Sequence, residues 1–149
     1  MKILIVEDHK HKIEELTQFI DENFEDMNYE IKTSYHSGLK EVILNHKSYD
    51  LILLDMSMYN YDIDKNETGG DPIPLAGQLI LNQMYNKGIE TKVIVVTMFE
   101  TFAGKKLEDL DNSLSSDFKD IYIGYVYFSA SEGKWKNDLS KLIINNFLK

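Results

Sequence analysis

The sequence predicts an α/β protein built on a parallel sheet with helices on both of its faces. Two observations predict it. Residues 3–6 (Ile-Leu-Ile-Val), 51–54 (Leu-Ile-Leu-Leu) and 93–96 (Val-Ile-Val-Val) are short continuous apolar runs, the pattern of strands buried on both faces. Between them apolar residues recur at helical spacing, so strands and helices alternate along the chain.

After the first strand, Ile13, Leu16, Ile20 and Phe24 mark a helix from about residue 10 to 24. Ile31, Thr33 and Tyr35 lie on one side of a second strand, with Lys32 and Ser34 on the other. Ser37 is placed to cap a helix carrying Leu39, Val42 and Ile43. The third strand ends at Asp55, and a long polar, glycine-bearing loop follows from about Met56 to Pro74. Leu75, Leu79, Ile80 and Met84 define the next helix, and Gly88 is a good stop for it. The fourth strand leads into Thr97. The stretch from Phe99 to Phe118 is polar, and only part of it reads as helix. Ile121 to Phe128 reads as an aromatic-rich fifth strand, and Trp135, Leu139, Leu142 and Ile143 set the apolar face of a last helix. Five such units in 149 residues point to the flavodoxin-like, doubly wound five-stranded parallel sheet of order 2-1-3-4-5. With no repeat, linker or low-complexity tract, residues 1–149 are expected to form one domain.

The composition, 43% hydrophobic and 28% charged with two prolines and eight glycines, is that of an ordinary folded protein. Sixteen Lys and Arg against 25 Asp and Glu leave a net charge of -9, which repels phosphate backbones and argues against direct nucleic-acid binding. Cysteine is absent, which excludes disulfides and thiolate metal sites. The apolar N-terminal run stops at Glu7 and Asp8, too early for a signal peptide or a membrane span, so the expected location is cytoplasmic, away from membranes.

In a sheet of this kind, sites form beyond the carboxyl ends of the strands, where the strand order reverses. Glu7 and Asp8 follow the first strand, Asp55 the third, and Thr97 closes the fourth. Three carboxylates meeting there repel one another unless a cation sits among them. An all-oxygen donor set with few protein ligands suits Mg2+, and the Thr97 hydroxyl is suited to hydrogen-bond a phosphoryl oxygen. The alternative for each residue alone is a polar cap on a buried strand; their joint occurrence on three strands favours a site.

The runs ending in Glu7-Asp8, Asp55 and Thr97 closely resemble the successive strand-end motifs of receiver domains, the response-regulator modules of two-component signal transduction, over nearly the whole chain. The resemblance implies that Asp55 is the phosphoacceptor and that Asp8 binds Mg2+ directly. Glu7 would assist through water, the backbone carbonyl of Ser57 would add a ligand, and Thr97 would grip the phosphoryl group. It implies a histidine kinase or phosphotransfer protein as donor. The output would be a contact with a downstream protein through the fourth helix, fifth strand and fifth helix.

The chain departs from the family at several places. Receivers carry a lysine at the end of the fifth strand, where this chain has Phe128 or Ser129; Lys134 or Lys136 are the candidates to reach back. Bulky Met98 and Phe99 follow the switch threonine in place of a small residue, and Tyr125 or Tyr127 is the candidate switch aromatic. His9 is expected to cap the first helix or face solvent. The loop carries Asp62, Asp64, Asn66 and Thr68 at alternate positions, like the start of a calcium loop. Glu67 and Ile73 stand where that loop needs glycine and glutamate, so a solvated acidic loop is the expectation. The missing lysine supports an alternative, a pseudo-receiver that binds proteins without phosphorylation. A metal-dependent hydrolase ranks last, because Ser57 stands where a second acid would be needed.

Overall fold

A computed structural model describes residues 1–62, 69–70, 72–98, 101–102 and 104–148. Five strands, β1 (Lys2–Val6), β2 (Asn28–Lys32), β3 (Leu51–Leu54), β4 (Lys92–Thr97) and β5 (Tyr122–Tyr127), alternate with helices α1 (Lys10–Asn23), α2 (Tyr35–Asn45), α3 (Ala76–Asn86), α4 (Leu107–Asp117) and α5 (Lys134–Phe147). The sheet is parallel in the order β2-β1-β3-β4-β5, the flavodoxin-like arrangement.

Alternation along the strands divides the core into two layers. Leu4, Val6, Ile52, Leu54, Val93 and Val95 face one side, where Val42 of α2, Ile80 and Met84 of α3 and Leu110 and Leu114 of α4 cover them. Ile3, Ile5, Leu51, Leu53, Ile94 and Val96 face the other, against Leu16, Phe19 and Ile20 of α1 and Trp135, Leu139 and Ile143 of α5. Burial on both faces is why β1, β3 and β4 read as unbroken apolar runs.

Register then places the site. Val6 pairs with Leu54, and Leu54 with Val95, so the next residues, Glu7, Asp55 and Val96, stand side by side at the carboxyl edge. Thr97 lies one step further along β4.

Two boundaries differ from the sequence reading. Tyr35 belongs to α2 and not to β2, because the Ser34 side chain accepts the Ser37 N–H at 3.1 Å and caps the helix there. Ser37 is therefore inside α2. The segment between Met56 and Pro74 is not wholly loop either: Met58–Tyr59 pairs antiparallel with Pro72–Ile73, and the Tyr61 N–H reaches the Gly69 carbonyl at 2.9 Å. In the stretch after β4, residues 101–102 pair with 105–106 ahead of α4. Gly88, at φ +70°, ends α3 as expected, with the Ile89 N–H returning to the Met84 carbonyl at 2.9 Å.

Candidate functional site

Carboxylate oxygens of Glu7, Asp8 and Asp55 lie within 4.8 Å of one another at this edge. Glu7 and Asp55 are buried, while Asp8 is half-buried. The backbone fixes all three: the Asp55 N–H donates to the Val6 carbonyl at 3.0 Å, and the Glu7 N–H to the Lys32 carbonyl at the same distance. The Asp8 Oδ2 accepts the Tyr59 N–H at 3.1 Å, so the two-stranded ladder after β3 holds one acid of the cluster.

Lys12, on the first turn of α1, is only 1% exposed and enters the cluster from below. Its Nζ pairs directly with Glu7 Oε1, lies 3.4 Å from Asp55 Oδ1 and donates to the Val96 carbonyl at 2.5 Å. An ammonium has three donors, and these contacts supply three acceptors. Among the described residues no other basic side chain is buried. A buried charge is tolerated only when paired and hydrogen-bonded, which is how Lys12 is held.

His9 completes the frame. Its N–H donates to Glu7 Oε2 at 3.1 Å, and its Nδ1 accepts the Lys12 N–H at 3.4 Å, capping α1. Burial pushes the Glu7 carboxyl up to about 8; the Asp55 charge adds to this and Lys12 opposes it. Asp8 is also raised, by burial first, against the lowering effect of the Tyr59 N–H.

Asp55 Oδ1 also accepts the Met56 N–H at 2.8 Å. Ser57 follows, half-buried between the buried Met56 and Met58. Thr97 is fully buried at the end of β4, and its carbonyl accepts the Phe128 N–H at 2.8 Å.

Neither lysine expected from the C-terminal segment supplies the cation of the cluster. Lys134 and Lys136 are exposed on α5; Lys136 Nζ sits 5.7 Å from the Trp135 ring centroid, and Lys134 lines the groove between α4 and α5. Phe128, the residue after β5, turns into the core, its ring centroid 4.9 Å from that of Trp135. The sequence held a signal for Lys12: it stands four residues before Leu16 and eight before Ile20, on the helix face that buries. Of the two tyrosines offered as switch aromatic, Tyr125 packs half-buried against the α4 side of the core, whereas Tyr127 is exposed. Met98 packs against the α1 and α5 layer; Phe99 lies outside the described residues.

Asp62 has a structural task. Its Oδ1 accepts hydrogen bonds from Ser37 Oγ at 2.9 Å and Thr33 Oγ1 at 3.1 Å. Asp64, Asn66, Glu67 and Thr68, the rest of the calcium-like pattern before Ile73, lie outside the described residues.

No family model matches the chain. The Detocs response regulatory protein DtcB of Enterobacter cloacae is 36% identical over 148 residues, covering 96% of this chain and 98% of that protein. Solved receiver structures share the fold. CheY of Borrelia burgdorferi, in a complex with CheX, BeF3 and magnesium, superposes with a TM-score of 0.66 at 13% identity, over 100% of this chain and 90% of that one. The response regulator TrrA of Thermotoga maritima, in complex with Mg2+ and beryllofluoride, gives 0.61 at 21% identity, over 95% and 97% of the two chains. The chain belongs to the response-regulator family, as a receiver domain of two-component signalling. Among the described residues no helix is long and apolar enough to cross a membrane.

Proposed function

We propose that this receiver is phosphorylated on Asp55 beside a Mg2+ ion and passes the signal on by protein contacts. One observation carries the reading: three acids from two strand ends converge within 4.8 Å around a buried Asp55. Glu7, Asp8, Asp55 and the Ser57 carbonyl are the groups that would hold the ion. The donors are all oxygen, and the exposed side of Asp8 leaves room for the waters that magnesium keeps. The ion would neutralise the charge that carboxylates and phosphoryl oxygens otherwise accumulate.

In the transfer, an Asp55 carboxylate oxygen bonds to phosphorus as the nitrogen–phosphorus bond of a phosphohistidine donor breaks. The electron pair stays on the imidazole nitrogen, which takes up a proton. A histidine kinase or phosphotransfer protein is the donor on this reading, and a cytoplasmic setting follows from it. The protein is then a phosphoacceptor and not a classical enzyme. Thr97, buried one step beyond Val96, would hydrogen-bond the phosphoryl group. The groove over β5 lined by Asp111, Ser115, Tyr125, Tyr127, Lys134 and Asp138 offers a mixed polar and aromatic surface for a downstream protein.

Intact mass after treatment with acetyl phosphate and magnesium tests this. The expected result is one added phosphoryl group, lost without magnesium and lost in Asp55→Asn. A mass that stays unchanged would select the second reading, a phosphorylation-independent binding module, which Phe128 in place of a fifth-strand lysine favours.

A further inference from the structure

We propose that Lys12 is the cation that binds the phosphoryl group on Asp55, so that phosphorylation is sensed by the first helix of the domain. The proposal rests on Asp55 being the acceptor.

The ammonium already lies 3.4 Å from Asp55 Oδ1 and is the only buried basic group among the described residues. Phosphorylation replaces one carboxylate charge by a group with more negative charge and three strong acceptor oxygens. A charge-assisted bond to such an oxygen is shorter and stronger than the long contact Lys12 now makes to Asp55. The remaining contacts fix what a shift of Nζ would disturb. The Glu7 pair connects through His9 back to the Lys12 backbone, and the Val96 carbonyl belongs to the peptide before Thr97. A pull on Nζ toward Asp55 is therefore felt at the capped start of α1 and at the end of β4.

The geometry at β5 is consistent with this division. Phe128 shares the α1 and α5 core layer with Leu16, one turn below Lys12, so an aromatic fills the end of β5 while a lysine reaches the acids from the helix packed on that same face.

The test is a beryllofluoride titration with magnesium, by calorimetry, on the native protein and on Lys12→Met, Lys12→Arg and Asp55→Asn. Lys12→Met should weaken beryllofluoride binding on the order of ten- to a hundredfold, while magnesium alone binds as well or better, because a competing positive charge has gone. Lys12→Arg should recover part of the loss. A merely structural lysine would lower both affinities together, and that result, or beryllofluoride binding in Lys12→Met within about twofold of native, overturns the proposal. If Lys12→Met does not fold, the lysine ammonium resonances of the native protein decide. With selective Nζ labelling, one protected signal should shift on adding beryllofluoride, and an unshifted signal overturns the assignment. Binding that persists in Asp55→Asn, or no binding to the native protein, would instead remove the phosphoacceptor reading and the role of Lys12 with it.

Discussion

Gly77 lies against the backbone of Asp55. Its N–H donates to the Met56 carbonyl at 3.0 Å, and a Cβ at position 77 would come to 2.6 Å from the Asp55 carbonyl oxygen and 3.1 Å from the Met56 Cα. The first turn of α3 thus braces Asp55, and only a residue without a side chain permits that approach.

Gly77→Ala should therefore destabilise the protein, although alanine is the better helix former by about 1 kcal/mol. Forcing backbone apart in a packed region costs about 1–3 kcal/mol, and the contact here is backbone with little freedom to give. Denaturant melts should show a net loss, and acetyl phosphate should label Asp55 more slowly. Equal or greater stability would mean that α3 moves away freely.

Glu7 predicts a pH dependence in the absence of metal. Its carboxyl is raised from 4.5 to about 8 by burial, with Asp55 adding and Lys12 opposing. The folded state therefore holds the proton more tightly than the unfolded chain. That stabilisation is fully present below about 4.5 and is lost as pH rises to about 8. Melting temperature without magnesium should fall across this window, and Glu7→Gln should flatten the fall. Saturating magnesium should flatten it too, because a nearby cation favours the carboxylate. A slope unchanged by Glu7→Gln would place the titrating group elsewhere.

Asp8 separates charge from hydrogen bonding. Asp8→Asn keeps an oxygen for the Tyr59 N–H, so the two-stranded ladder should stay in place while one negative charge leaves the cluster. Magnesium affinity should drop by about tenfold or more, with little change in the amide spectrum of residues 58–59 and 72–73. Unchanged affinity would show that Asp8 does not touch the ion.

Asp62 should behave as a brace and not as a calcium ligand. Burial raises its carboxyl, but hydrogen bonds from Ser34, Ser37 and Thr33 outweigh this and leave it below the usual carboxylate range. A lowered folded-state value means stability present above the ordinary pKa and lost as pH falls through the folded one. Asp62→Ala should thus lower the melting temperature at neutral pH and less so in acid. Calorimetry should detect no micromolar calcium binding; such binding, abolished by Asp62→Ala, would restore the calcium reading.

The sequence by itself determined the sheet and the acids. Ile3–Val6, Leu51–Leu54 and Val93–Val96 read as doubly buried parallel strands, because these continuous apolar runs are too short for helices and alternate with amphipathic ones. In a doubly wound sheet of order 2-1-3-4-5, Glu7, Asp8, Asp55 and Thr97 fall at one edge without any knowledge of side-chain contacts. The source of positive charge was decided only by the tertiary structure. Lys12 stands beside Lys10 and His11 in a polar first turn; its spacing to Leu16 and Ile20 puts it on the apolar face of α1 but names no acid for it to meet. It is buried because Leu16, Phe19 and Ile20 dock α1 on the sheet, turning position 12 toward Val96, 84 residues away. Local periodicity reports which face of a helix is apolar; it does not report which acids another part of the chain will set against that face. The burial of Lys12 is a balance of desolvation against partners from β1, β3 and β4, and those partners converge only when the sheet is assembled.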